Sequence, residues 1–239
     1  MTFLIASIAP GIVIMYLIYR HDLEKEPMKM LVKSFFGGVL SAFLSLCISI
    51  PLQLIFNPEG IDSATFSAFM GAAIPEEIAK WIIFFWIVRS SKHFDQYYDG
   101  ILYAIFISMG FALLENIFYV FEGGLGTAMV RAILSVPAHM LFVIPMGYYF
   151  SMSRFENDGK AMIHLALSIL IPILLHGVFD FLLMYANGLG ESNPILTLFL
   201  LIVFVVFDIA MWRYGLRKIR EHINQDKLNS TLRVKNPVV

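Results

Sequence analysis

The chain contains a single cysteine, Cys47, so no disulfide can form within it. Charge is also scarce: 15% of the 239 residues are Asp, Glu, Lys or Arg, whereas 59% are hydrophobic. A soluble domain of this size would carry more charge on its surface, and the formal net charge of −1 gives no basis for binding nucleic acid. With a mean hydropathy of +0.76, the composition predicts an integral membrane protein surrounded by the lipid bilayer.

Hydrophobic runs long enough to cross a hydrocarbon core of about 30 Å occur seven times. They predict an all-α, polytopic membrane protein, a bundle of about seven transmembrane helices. The predicted spans are residues 2–19, 34–56, 66–88, 100–121, 128–150, 161–186 and 194–212. Residues 1–213 would form a single transmembrane domain, followed by a basic cytoplasmic tail over residues 214–239. The first run lacks a preceding basic region and a cleavage site, which favours a transmembrane helix over a cleavable signal peptide.

The basic residues, lysine and arginine, are concentrated in every second predicted connection. The first, third and fifth connections and the tail hold 15 of the 17 basic residues, and the other two, Lys80 and Arg131, lie within spans. The positive-inside rule then places the amino terminus outside the cell and the carboxyl terminus in the cytoplasm. Arg131 is near the outer end of its span and is expected to extend to the membrane interface. Lys80 is expected to pair with a glutamate.

Ionisable side chains within the spans are the main functional signal, because each costs roughly 2.5–3.5 kcal/mol at the bilayer centre on insertion scales. With a helical rise of about 1.5 Å per residue, they lie roughly 8–16 Å below the outer face, on four different helices. Scattered structural residues would have no reason to share a depth, so the pattern indicates a site. The residues are Glu76, Glu77, Glu115, His139, His176 and Asp180.

Helical spacing pairs several of these groups. Glu76 and Glu77 precede Lys80 by four and three residues, so the ammonium can reach either carboxylate. His176 and Asp180 are also four residues apart, which allows the carboxylate to orient the imidazole.

Two common hydrolase motifs are absent from the sequence. It contains no His-Glu-x-x-His of the zinc peptidases and no Gly-x-Ser-x-Gly elbow. The remaining chemistry combines glutamate with histidine: a charged glutamate near His176 can take a proton from a bound water, and an imidazolium or amide donor can stabilise the developing oxyanion. Asn116 is a possible amide donor. This mechanism requires no cofactor and no metal.

Five blocks, in order along the chain, resemble the PrsW family of intramembrane proteases. They are Ile74–Trp81, Tyr97–Tyr103, Gly110–Ile117, Arg131–His139 and His176–Phe181. The resemblance implies cleavage of a membrane-spanning anti-sigma factor on its extracytoplasmic side, as the first cut of a stress response in a bacterial cell membrane. By the family pattern, Glu76 is the general base and Glu77 orients it. The catalytic candidates are therefore Glu76, Glu77, His176 and Glu115, supported by Lys80, Asn116, His139 and Asp180.

The PrsW family is in turn more distantly similar to the CAAX prenyl endopeptidases, which resemble glutamate-dependent enzymes without a metal. Those enzymes have histidine where this chain has Glu115, so Glu115 must be protonated, orient a histidine or bind a metal, and His139 is the candidate replacement. Two other functions remain open. A metal-dependent membrane hydrolase is one, because three glutamates, two histidines and an aspartate could bind zinc. An ion-coupled transporter, in which intramembrane acids relay ions, is the other.

Overall fold

All regular secondary structure in the residues that the computed structural model describes, 2–56, 59–156 and 159–235, is helical. This confirms the prediction of an all-α membrane protein. The elements are α1 (Thr2–His21), α2 (Met28–Ile55), α3 (Gly60–Phe66), a π-helical segment (Ser67–Ala73), α4 (Ile74–Val88), α5 (Tyr97–Ile133), α6 (Ser135–Phe155), α7 (Ala161–Leu189), a 3₁₀ turn (Gly190–Ser192) and α8 (Pro194–Lys235). The end of the predicted tail, 236–239, lies outside the described residues.

In the described part of the chain, four helical stretches are long and apolar enough to cross a membrane: Met28–Ile55, Tyr97–Phe155, Ala161–Leu189 and Pro194–Leu232. The second of these contains both α5 and α6. Helix α1 is a shorter apolar helix, and the path through α3 and α4 is divided by the π-helical segment. Counted as separate passes, these helices agree roughly with the predicted number of about seven.

The outer faces of the helices are apolar. Large hydrophobic side chains there are more than half exposed, among them Leu54, Ile55, Trp86, Phe121 and Ile195. A soluble monomer rarely exposes contiguous apolar surface on this scale. The surface is that of a bundle solvated by lipid.

Helix α5 forms the centre of the bundle, and every residue from Tyr97 to Leu113 is buried. It crosses its neighbours closely at glycines. A methyl group added to Gly110 would collide with the backbone carbonyl of Phe35 on α2, and one added to Gly147 on α6 would collide with the backbone of Gly100. Small residues allow this approach, which matters in a membrane because packing rather than the hydrophobic effect holds the helices together.

Helix α5 breaks at Gly124, where φ is 73° and ψ is −163°. Glycine lacks a Cβ and adopts positive φ without strain. The carboxylate of Glu115 and the guanidinium of Arg131, on either side of the break, are 2.7 Å apart. A straight helix would separate residues sixteen positions apart by about 24 Å, so the chain doubles back at Gly124.

Helix α8 continues well past the last predicted span. Its 42 residues correspond to about 63 Å, roughly twice the thickness of the hydrocarbon core. Near its end, the Asp226 carboxylate accepts hydrogen bonds from the backbone N–H groups of Tyr97 and Tyr98, both at 2.8 Å. The first N–H groups of a helix have no partner within it, so Asp226 caps α5 and docks the end of α8 onto the bundle.

Replacing Gly110 by alanine should lower the thermal unfolding temperature of the detergent-solubilised protein. The added methyl group must push α5 away from the backbone of α2, and overpacking of this kind costs about 1–3 kcal/mol. Gly126→Ala, beyond the break in α5, is the control, because a methyl group there meets no atom within 4 Å. Equal unfolding temperatures for the two variants in differential scanning fluorimetry would contradict the close crossing.

Candidate active site

A cavity of about 240 Å³ lies between α4, α5, α6 and α7. Ionisable groups from all four helices line it, together with apolar side chains. They are Glu76, Glu115, Arg131, His139, His176 and Asp180. Five of these six are residues that the sequence placed at a common depth, and the structure brings them together around one space.

The backbone becomes irregular immediately before the paired glutamates. The π-helical segment Ser67–Ala73 runs into α4, whose second residue is Pro75. Proline has no N–H and its ring excludes the carbonyl one turn earlier, so regular α-helical bonding cannot pass through this point. The wider π turn accommodates the interruption, as is frequent at functional sites. It leaves Glu76 and Glu77 in the first turn of α4.

The ammonium of Lys80 lies among three acceptors. Its Nζ is 2.8 Å from Glu77 Oε1, 3.4 Å from Glu76 Oε2 and 3.3 Å from His139 Nδ1, and the side chain is 0% exposed. An ammonium can only donate hydrogen bonds, so His139 Nδ1 must accept. The ring proton of the neutral imidazole is then on Nε2, which donates to Glu115 Oε2 at 3.0 Å. The expected pairing of Lys80 with a glutamate is confirmed.

The two adjacent glutamates differ in access to the cavity. Glu77 is fully buried, and its Oε1 lies within hydrogen-bond distance of both Lys80 and His176. The Glu76 side chain is 15% exposed and lines the cavity, and within the described residues its only ionic contact is the longer one, 3.4 Å, to Lys80. A water molecule in the cavity can therefore reach Glu76 but not Glu77.

His176 lies between two carboxylates. Its Nδ1 is 2.9 Å from Glu77 Oε1 and its Nε2 is 3.2 Å from Asp180 Oδ2. The ring also stacks on Phe142, with the centroids 4.5 Å apart. Ionised carboxylates only accept hydrogen bonds, so the ring satisfies both partners as an imidazolium.

Arg131 is part of the site, and the expectation that it extends to the membrane interface was wrong. Its Nη2 donates to Glu115 Oε2 at 2.7 Å and its Nε donates to Asn116 Oδ1 at 2.8 Å. The reversal at Gly124 returns Arg131 to the level of Glu115. One feature of the sequence could have predicted this contact. Glu115 and Arg131 each lie eight positions from Gly123, on opposite sides of a pair of glycines at which the chain can reverse.

Asn116, predicted as a possible oxyanion donor, has a different set of contacts. It is fully buried; its Nδ2 donates to the carbonyl of Ser7 at 2.8 Å and its Oδ1 accepts from Arg131. Asn116 therefore links α5 to α1 behind the cavity instead of facing into it.

The comparisons with known proteins agree on one family. The family described as "PrsW family intramembrane metalloprotease" matches residues 26–211. Protease PrsW of Bacillus subtilis (strain 168) is 38% identical over 218 residues, covering 90% of this chain and 93% of that protein. Protease PrsW of Clostridioides difficile (strain 630) is 37% identical over 230 residues, covering 92% and 91%, and that of Geobacillus kaustophilus (strain HTA426) is 36% identical over 218 residues, covering 90% of each. No solved structure matches.

The family description implies a metal, and the side chains include the types that bind zinc. Ligand atoms of Glu76, Glu77 and His139 all lie within 4.8 Å of one another. The Lys80 ammonium, however, contacts these same three side chains at 2.8–3.4 Å. An ion bound to these side chains at about 2.0–2.2 Å would share all three of them with the buried ammonium and would lie beside it, and the two cations would repel each other. The residues as arranged do not fit a resident metal.

Glu77→Gln should destabilise the protein much more than Glu76→Gln. Loss of the Glu77 charge leaves two buried cationic groups without their shared carboxylate, and removing one partner of a buried ion pair costs about 3–5 kcal/mol. Glu76 makes a single long contact, so its substitution should have a smaller effect. Thermal unfolding of the two variants in the same detergent measures the difference, and equal losses would contradict the contrast drawn between the two carboxylates.

Proposed function

The chain belongs to the PrsW family of intramembrane proteases, and on this premise we propose that it hydrolyses a peptide bond of a single-span membrane anti-sigma factor near the extracytoplasmic side. The cut would release a sigma-factor stress response. The chain is a multi-pass membrane protein whose relatives are named proteases. The substrate class rests on the family resemblance.

The observation that carries the proposed chemistry is the partial exposure of Glu76 in a cavity where Glu77 is inaccessible. An ionised Glu76 takes a proton from a water molecule, whose oxygen attacks the carbonyl carbon of the scissile peptide. The same proton then passes from Glu76 to the leaving amine as the C–N bond breaks. Glu77 is fully buried and acts as a positioning residue for Lys80 and His176.

The negative charge that develops on the carbonyl oxygen requires donors facing the cavity. His176 supplies the positive charge of an imidazolium. Arg131 supplies N–H groups, because its Nη1 makes no hydrogen bond to any residue in the described ranges. Both side chains line the cavity.

Of the three roles left open for Glu115, orientation of a histidine is the one its contacts support. Its Oε2 is 3.0 Å from His139 Nε2 and 2.7 Å from Arg131 Nη2. With a cation beside it, the Glu115 charge is balanced and does not repel an oxyanion. Glu115 and His139 are then positioning residues that hold Arg131 and Lys80 in place.

We also propose that the amino terminus faces outside and the carboxyl terminus faces the cytoplasm, as the basic residues predict. The site supports this orientation because it is closer to the Gly124 end of α5 than to the end capped by Asp226. Glu115 is nine residues from Gly124, about 14 Å along the helix. A substrate bond at that depth is reached from the extracytoplasmic leaflet.

Glu76→Gln should reduce cleavage of a single-span substrate in liposomes by about 100-fold or more, because general-base catalysis contributes at least that much. The substitution keeps the size of the side chain and removes the proton acceptor. Glu122→Gln is the matched control, since that carboxylate is exposed on α5 and does not line the cavity. Undiminished cleavage by the Glu76 variant would remove the mechanism.

Mass spectrometry of the products from the same reaction locates the cut. A cut in the extracytoplasmic third of the substrate span supports the orientation, and a cut at the cytoplasmic end would reverse it. Failure of the wild-type protein to cleave, together with pH-driven ion flux into the liposomes, would favour the transporter alternative.

A further inference from the structure

We propose that the ammonium of Lys80 takes the place that a metal ion occupies in a metalloprotease. The native site therefore excludes zinc, and it becomes a zinc site only when the ammonium is removed. The inference rests on the proposed proteolytic function and deepens it. It also departs from the metal that the family description implies.

The coordination of the ammonium is complete. An ammonium has three N–H donors, and Nζ has three acceptors within reach: Glu77 Oε1, Glu76 Oε2 and His139 Nδ1. On a further side, Nζ lies 4.1 Å from the centroid of the Phe111 ring, a distance typical of a cation–π contact. The side chain is fully buried, so no solvent replaces any of these partners.

The charges around the ammonium nearly balance without a metal. The carboxylates of Glu76, Glu77, Glu115 and Asp180 bring four negative charges, and Lys80, Arg131 and the imidazolium of His176 bring three positive charges. A divalent ion added beside Lys80 would leave an excess of one positive charge and would place two cations next to each other in a region of low dielectric constant, where unpaired charge is costly. Removing the ammonium instead leaves two carboxylates and an imidazole facing one space, which is a ligand set that zinc accepts.

Lys80 is a positioning residue in this scheme, because full burial keeps it from touching substrate. It holds Glu76 and Glu77 at fixed separation and fixes the tautomer of His139. Its positive charge lies 3.4 Å from the carboxylate proposed as the general base. A metal bound at the same position would instead act on a bound water as a Lewis acid, so the two solutions are alternatives for one position.

Zinc retention tests the inference directly. Wild-type protein, Lys80→Ala and Lys80→Arg are purified in detergent, stripped with a chelator, equilibrated with zinc chloride and desalted, and zinc is measured by inductively coupled plasma mass spectrometry. Wild type and Lys80→Arg, which keeps the cation, should retain less than about a tenth of an ion per chain, and Lys80→Ala about one. Adding His139→Gln to Lys80→Ala should return retention to the wild-type level. This distinguishes the buried site from surface histidines.

A stoichiometric zinc ion on the wild-type protein that His139→Gln removes would overturn the inference. So would a folded Lys80→Ala variant that retains no zinc. If Lys80→Ala fails to fold, the comparison of wild type with His139→Gln still decides the question.

Cleavage assays on the stripped wild-type protein separate this inference from the proposed function. Full activity in the chelator supports both. Activity that appears only after zinc is added would overturn the role given to Lys80 while leaving a protease. Absence of cleavage with or without zinc would overturn the proposed function. The measured zinc content of the variants would still test the role proposed for Lys80.

Discussion

One carboxylate oxygen joins the helices of the site. Glu77 Oε1 lies 2.8 Å from Lys80 Nζ and 2.9 Å from His176 Nδ1, and all three side chains are buried. Lys80 extends the connection to His139 on α6, and His139 extends it to Glu115 on α5. Opposite charges attract more strongly in these buried, low-dielectric surroundings than in water. Either charge destabilises the fold if its partner is removed. One series of charge-assisted hydrogen bonds therefore ties α4, α5, α6 and α7 together and fixes the groups that face the cavity.

The packing of the bundle makes this network possible. In lipid, apolar burial provides little force between helices, so close packing and polar contacts must hold them together. Gly110 and Gly147 let α5 approach α2 and α6 until backbones touch, and the π-helical segment lets α4 begin with a proline followed by two acids. The same contacts that stabilise the bundle hold its charges in place before any substrate binds. Electrostatic catalysis depends on charges arranged in advance.

Much of the site follows from helical geometry applied to the sequence, because a fixed rise per residue converts positions into depths. That reasoning is enough to bring acids and imidazoles from four helices to one level. It could not distinguish Glu76 from Glu77, since consecutive helical residues point in different directions and the neighbouring helices decide which one is enclosed. It missed Arg131 because the reversal depends on one backbone conformation at Gly124. It also did not predict the cap that Asp226 forms on α5, a contact between residues more than a hundred positions apart.

The contact between the Glu77 carboxylate and the His176 imidazole is tested most directly by a double-mutant cycle of Glu77→Gln and His176→Gln. The free energy of unfolding of each variant is measured in mixed micelles. Each single variant leaves a buried group without its partner, whereas the double variant removes both. The account predicts that the double variant loses less stability than the sum of the single losses, by about 1–3 kcal/mol. Additive losses would show that the carboxylate and the imidazole do not interact, and would contradict the network that joins α4 to α7.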